Sequence, residues 1–227
     1  MSGDAGAPRV VVLDVNETLS DLTPLRARFA EVGADEELAA TWFAAVLREG
    51  MALAAVGQQA GFAEIGAHVL DVLLPADLTL QRGAAVDHVL AAFSALSVHP
   101  DVPDGLRALR EQGLRVVTLS NGAASVAQGL LERAGVADLV EATLSVADAG
   151  VWKPAAAAYA HAVAWSGEPA GAHLLVAVHP WDVHGAQQAG WSGAWVDRSG
   201  TTPYPGYLDD PVLRVHDLTD LAARLAG

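Results

Sequence analysis

RVVVLDVNETL, residues 9–19, places four aliphatic side chains in an unbroken run directly before an aspartate. A half-exposed strand would alternate apolar and polar positions. This run does not, so it reads as a short strand buried on both faces in a parallel sheet and ending at Asp14. Moving outward, LRVVTLS at 114–120 and HLLVAV at 173–178 repeat the pattern, and GAWVD at 193–197 supplies a fourth strand. A shorter strand is expected within Leu139–Leu144. Helical stretches lie between them: DGLRALREQG ends in a glycine cap at Gly113, and VHGAQQAG ends at Gly190. Strands alternating with helices predict an α/β protein built on a Rossmann-like parallel sheet.

After the first strand the pattern changes. Leu25–Val32, Asp35–Gly50, Gly61–Leu74 and Gln81–Leu96 all carry helical spacing with no strand run among them. The expected organisation is therefore a core of residues 1–18 and 98–227 with a helical cap, 19–97, inserted after the first strand. SGTTPYPGY, rich in turn formers, predicts a surface loop before a closing short strand and the helix LTDLAARLAG.

Composition narrows the function classes. Of 227 residues, 52% are hydrophobic and 18% charged, enough for a large core, yet no apolar run reaches the roughly 18 residues of a membrane span. MSGDAGAPR lacks an apolar signal core, so the expected compartment is the cytoplasm. With no cysteine, disulfides, thiolate catalysis and cysteine metal sites are excluded. Thirteen basic against 27 acidic residues leave a net charge of −14, which repels nucleic acids and anionic lipid surfaces. The expected partner is a small molecule, and a homodimer is left open.

In open parallel sheets ligands gather outside the carboxyl ends of the strands, so polar residues ending separate apolar runs converge. Here these are Asp14, Ser120 with Asn121, and Asp182. Taken singly, an aspartate at a strand end also reads as a helix cap, and Ser-Asn-Gly as an ordinary turn. Taken together, VVVLDVNETL, TLSNG at 118–122, VWKP at 151–154 and HPWDVHGA at 179–186 resemble, in order and spacing, the four motifs of the haloacid dehalogenase superfamily. The resemblance spans nearly the whole chain and includes the helical insertion. The WDxxGA form is similar to the type II 2-haloacid dehalogenase branch.

That resemblance implies that Asp14 attacks carbon to form an ester, with Lys153 as the cation that keeps it ionised and Thr18 orienting it. Ser120 and Asn121 would bind the substrate carboxylate or the leaving group. Asp182 would position or activate the hydrolytic water, and Tyr159 matches an active-site tyrosine, a buried helix tyrosine being the alternative. Most of the superfamily are magnesium phosphatases, which carry a second acid where this chain has Asn16 and an acidic metal ligand where it has Val178. The resemblance therefore implies carbon chemistry, on a small 2-substituted carboxylic acid, with no metal or cofactor.

Within the branch the chain departs from the usual pattern. Trp42-Phe43 stands where a Trp-Arg pair holds the departing halide, with Arg48 out of register; Ala177 and His179 replace a serine and an asparagine; Asn16-Glu17 replaces Tyr-Gly. Asn16, Glu17, Trp42 and Phe43 thus join the candidate substrate-binding residues. One cation fewer and one acid more favour a leaving group that departs as a neutral amine, as in azetidine-2-carboxylate hydrolase, a ring-opening relative in this branch. Glu17 reads equally as a solvent-facing or helix-capping residue. His179 reads either as a neutral imidazole beside Asp182 that relays a proton or as a structural histidine. His184, on the helix just after, reads as structural, and His68 and His88 lack metal-ligand spacing to one another. The competing class is a binding protein that keeps the fold, against which stands the cost of retaining Asp14, Lys153 and Asp182 as buried charges.

Overall fold

The computed structural model describes residues 7–227; residues 1–6, assigned above to the core, lie outside the described residues. Strand β1 (Val10–Leu13) is buried along its whole length, as an aliphatic run with no polar face must be. It sits inside a six-stranded sheet. On one side lie β2 (Arg115–Ser120) and then β3 (Ala142–Ser145); on the other lie β4 (His173–Ala177), β5 (Ser192–Val196) and β6 (Leu213–Val215). Every pairing is parallel. The chain builds outward from β1 to β3, then crosses back to begin β4 on the far side of β1. That reversal opens a crevice at the strands' carboxyl ends, and β1 with β4 forms its floor.

Five helices lie between β1 and β2, and the first four form the inserted layer: α1 (Leu25–Glu31), α2 (Leu38–Ala55), α3 (Phe62–Leu73) and α4 (Arg82–Ser94). The chain leaves and re-enters the sheet along paired backbone. Asp21 N donates to the Ser97 carbonyl and His99 N to that of Leu19, at 2.9 and 2.8 Å. The helices pack around Trp42, which meets Phe93 edge-on at 5.4 Å between ring centres and donates its indole N–H to the Gly66 carbonyl. Helix α2 begins later and ends later than the spacing predicts. Asp35 is spent on a turn, accepting from Glu37 N, and Gly50 stays inside the helix because the Trp152 ring lies against it.

One face of the sheet is covered by α5 (Val102–Glu111), α6 (Ala124–Arg133) and α10 (Leu218–Ala226), the other by α8 (Ala156–Ser166) and α9 (Pro180–Gln188). A single turn, α7 (Val146–Ala149), follows β3. β3 starts at Ala142 rather than within Leu139–Leu144 throughout, because Ala137–Leu139 forms a 3₁₀ turn first.

Candidate active site

Asp14 leaves β1 one residue past Leu13, which pairs with Thr118 on β2 and Val176 on β4, so its carboxylate emerges at the crevice. Thr18 closes the first turn beyond. Its hydroxyl donates to Asp14 Oδ2 at 2.8 Å and accepts from Val178 N at 3.1 Å, tying the nucleophile loop to the end of β4.

Lys153 comes from the segment between α7 and α8 and is completely buried. Its ammonium donates to Asp14 Oδ1 at 2.8 Å and to Asp182 Oδ2 at 2.6 Å. A buried cation is tolerable only when paired, and two carboxylates meet that condition. Burial alone would lower the lysine's pKa; the charges of Asp14 and Asp182 outweigh it and raise it above the ordinary value. Burial would likewise raise Asp14, but Lys153 and a hydrogen bond from His179 hold its carboxyl well below the usual carboxylate range. Asp14 is therefore an anion at any neutral pH. Asp182, on α9, is pushed up by its own burial, partly offset by Lys153. Its Oδ1 accepts from the Tyr159 hydroxyl at 2.7 Å.

His179, at the end of β4, bridges two acids. Nδ1 lies 3.2 Å from Asp14 Oδ2 and Nε2 lies 2.9 Å from Glu17 Oε2. Burial disfavours the imidazolium, but the bonds to Asp14 and Glu17 prevail and raise its pKa to about 9, so both nitrogens donate. Glu17 reaches it from a left-handed backbone, φ 63°, the only positive φ outside glycine among the described residues. Such a conformation costs a non-glycine residue on the order of 1 kcal/mol or more.

The comparisons with known proteins agree with this geometry. A family model described as haloacid dehalogenase-like hydrolase matches residues 8–190. The chain belongs to that family. Haloacetate dehalogenase H-2 of Moraxella sp. (strain B) is 29% identical over 169 residues, 74% of this chain and 75% of its own. (S)-2-haloacid dehalogenase 4A of Burkholderia cepacia is 28% identical over 197 residues, 86% and 85% of the two chains. The structure of L-2-haloacid dehalogenase from Xanthobacter autotrophicus with chloropropionic acid covalently bound matches with a TM-score of 0.84 at 26% identity, over 97% of this chain and 99% of that one. The protein is a 2-haloacid dehalogenase-like hydrolase on the α/β fold of that family.

Against the other members' pattern, several side chains fall elsewhere than the motifs suggest. Asn121 accepts from Lys153 N at 2.9 Å and donates to the Lys153 carbonyl at 3.4 Å, so its amide fastens the lysine segment while the residue also lines the cavity beside Ser120. Tyr159 lies behind Asp182, fully buried, and steadies that carboxylate. Trp42 is spent on the helical layer. Phe43 instead reaches the site, its ring stacked over the His179 imidazole at 6.2 Å. His179 is charged rather than neutral and contacts Asp14 and Glu17 rather than Asp182. Glu17 neither caps a helix nor stands free in solvent, although its side chain is 44% exposed. The residues do not suit the magnesium used by phosphatase members of the superfamily. The Lys153 ammonium lies between the Asp14 and Asp182 carboxylates and pairs with both, and no group of three or more acids or histidines among the described residues could hold an ion.

Ser120 and Asn16 line a cavity of 380 Å³ between the sheet and the helical layer, continuing to Phe62, Phe93, Val126 and Trp152. Trp152 stacks flat on Phe62 at 5.9 Å and donates to the Ala60 carbonyl at 3.1 Å, joining the wall from α3 to the residue before Lys153. No motif pointed to these apolar residues. Gly185, in the WDVHGA stretch, was also overlooked: a Cβ there would sit 2.5 Å from the Tyr159 hydroxyl, so only glycine lets the tyrosine reach Asp182.

Proposed function

We propose that the protein is a metal-independent hydrolase that displaces a substituent from C2 of a small carboxylic acid through an aspartyl ester on Asp14. The observation that carries this reading is the buried Asp14–Lys153–Asp182 group, in which the nucleophile is ionised, held by Thr18, and beside a cation that cannot leave. An Asp14 oxygen attacks C2 and the substituent departs with its bonding electrons. With Asn16 two residues on, no acid stands in that position to protonate a leaving group on phosphorus.

Water must then attack the ester carbonyl, and the geometry favours His179 as the base. Both Asp182 oxygens are already engaged, by Lys153 and Tyr159. Esterification removes the Asp14 charge that holds His179 protonated, so the imidazolium can release its proton through Glu17, which with His179 lines a separate cavity of 390 Å³. The neutral imidazole takes a proton from water, hydroxide adds to the ester carbon, and the proton passes to the departing 2-hydroxy acid oxygen as the Asp14 carboxylate re-forms. Among the described residues His179 is also the one cation that Glu17 pairs with, so the added acid is balanced by an added base. This weakens the case for a cationic substrate and favours halide departure over the C–N opening of azetidine-2-carboxylate.

A single turnover on 2-chloropropionate in oxygen-18 water is expected to leave the label in Asp14 and none in the product. Direct labelling of the product in that first turnover would exclude the ester route. Azetidine-2-carboxylate belongs in the same panel: turnover of it without chloride release from the chloro acid would reverse the choice of leaving group.

A further inference from the structure

The cavity that opens at Val15 and Asn16, the residues that follow Asp14, is far larger and more apolar than a three-carbon acid requires. A cavity of about 150 Å³ holds a benzene ring; this one has 380 Å³. Its polar features sit at one end. Ser120 Oγ, buried, accepts from Gly122 N at 2.9 Å and keeps its own proton to give. Asn16 is nine-tenths buried, and its side-chain amide forms no hydrogen bond within the described residues. Its Nδ2 lies 4.0 Å from where a Cβ on Gly122 would stand, beside Ser120. Asn16 lines the cavity, so this amide is placed to donate to a ligand's oxygen. Away from this end the walls are Phe62, Phe93, Val126 and Trp152, and no lysine, arginine or histidine lines the cavity.

Resting on the reading of Asp14 as nucleophile toward C2, we infer that the substrate carries a bulky apolar side chain on C2, an aryl group or an alkyl chain of four or more carbons. Asn16 and Ser120 receive its carboxylate as neutral donors, and the aromatic walls receive its tail. A three-carbon acid would fill the polar end and leave the apolar surface in contact with water, whereas a phenyl or butyl group displaces that water. Asn16 then acts as a binding residue that orients the acid with its tail away from Lys153.

The test uses the 2-hydroxy acids, which are the products whatever group departs. Calorimetric Kd values would be measured for lactate, 2-hydroxybutanoate, 2-hydroxyhexanoate and 3-phenyllactate. Affinity is expected to rise about fourfold per added methylene, the Boltzmann factor of a buried CH₂, so that 2-hydroxyhexanoate binds at least tenfold tighter than lactate. Ala63→Trp, at an exposed position on the cavity wall, should reduce the ratio of the hexanoate to the lactate affinity. Asn16→Leu should weaken all four acids by a similar factor. A flat or falling series in the unmodified protein would overturn the inference while leaving the ester route standing. Loss of the oxygen-18 signature from Asp14 would remove the ester route even if the affinity series rises.

Discussion

His179 concentrates at one residue the energetics that the site depends on. Its pKa in the folded protein is about 9, against the ordinary 6.5, because Asp14 and Glu17 both accept from it. A raised value means that folding favours the protonated form. The stabilisation is therefore complete below about pH 6.5 and is lost as pH rises through 9. Its size is on the order of 2–3 kcal/mol, less than the full shift implies because the Glu17 side of the pair is open to solvent. Melting temperature should fall between pH 6.5 and 9.5, and His179→Gln should remove that slope. An unchanged slope in the variant would show that the histidine is not held as an imidazolium. Asp14 contributes in a different window. Its depressed pKa gives stability above the unfolded carboxyl value that is lost only as pH falls well into the acid range, so the two do not overlap. The sequence made Asp14, Lys153 and Asp182 legible because each ends or adjoins a recognisable run. It could not show where Asn121, Tyr159 and Trp42 point, since identical side chains serve as fastener, prop or wall according to packing. Nor could it show that position 17 needs a left-handed backbone, which is set by the turn that brings Thr18 back to Asp14.

At the scale of elements, the join between the helical layer and the sheet rests on Gly50 and Trp152. A Cβ at Gly50 would fall 2.2 Å from the Trp152 ring, inside any permitted contact, and the ring is almost fully buried with its N–H on Ala60. In an open helix Gly→Ala stabilises by about 1 kcal/mol; here overpacking of roughly 1–3 kcal/mol opposes it. Gly50→Ala should lower the melting temperature by a few degrees. It should also cut kcat more than KM, because Trp152 precedes Lys153 and any shift of its ring is passed to the ammonium. A variant that melts higher and turns over normally would show that the ring yields freely. Gly50 also explains why the end of α2 was misjudged. A glycine late in an apolar helix reads as a terminator, and only the ring packed against it reveals that it is a contact. The strands were read closely because burial on both faces leaves a composition that no surface helix shares. The cavity wall was not read, because Phe62, Phe93 and Val126 look like ordinary core positions of amphipathic helices until the layers are docked.

For the whole molecule, the question is whether the helical layer melts apart from the sheet. The hydrophobic cluster that contains Phe29, Trp42, Phe62 and Phe93 from the inserted helices continues without a break into Trp152, Tyr159 and the β-strand residues Val12 and Leu175. Separating the layers would expose Trp152 and Phe62 to water and open the cavity beside Lys153, whose charge is paired only while the core is closed. Two backbone strands alone, hydrogen-bonded at Leu19–His99 and Asp21–Ser97, would hold the halves together after such a break. The shared aromatic packing makes the partly open state costly relative to full unfolding, so one cooperative transition is expected. Calorimetric and van't Hoff enthalpies should agree. Tryptophan emission, which reports Trp42 in the helical layer as well as Trp191 and Trp195 near the sheet, should follow the same midpoint as far-UV circular dichroism. Two separated midpoints would mean that Trp152 couples the layers too weakly to make them one unit. Ligand binding in the cavity would then be expected to raise the lower midpoint alone, because that is where the wall from α3 and α4 is assembled.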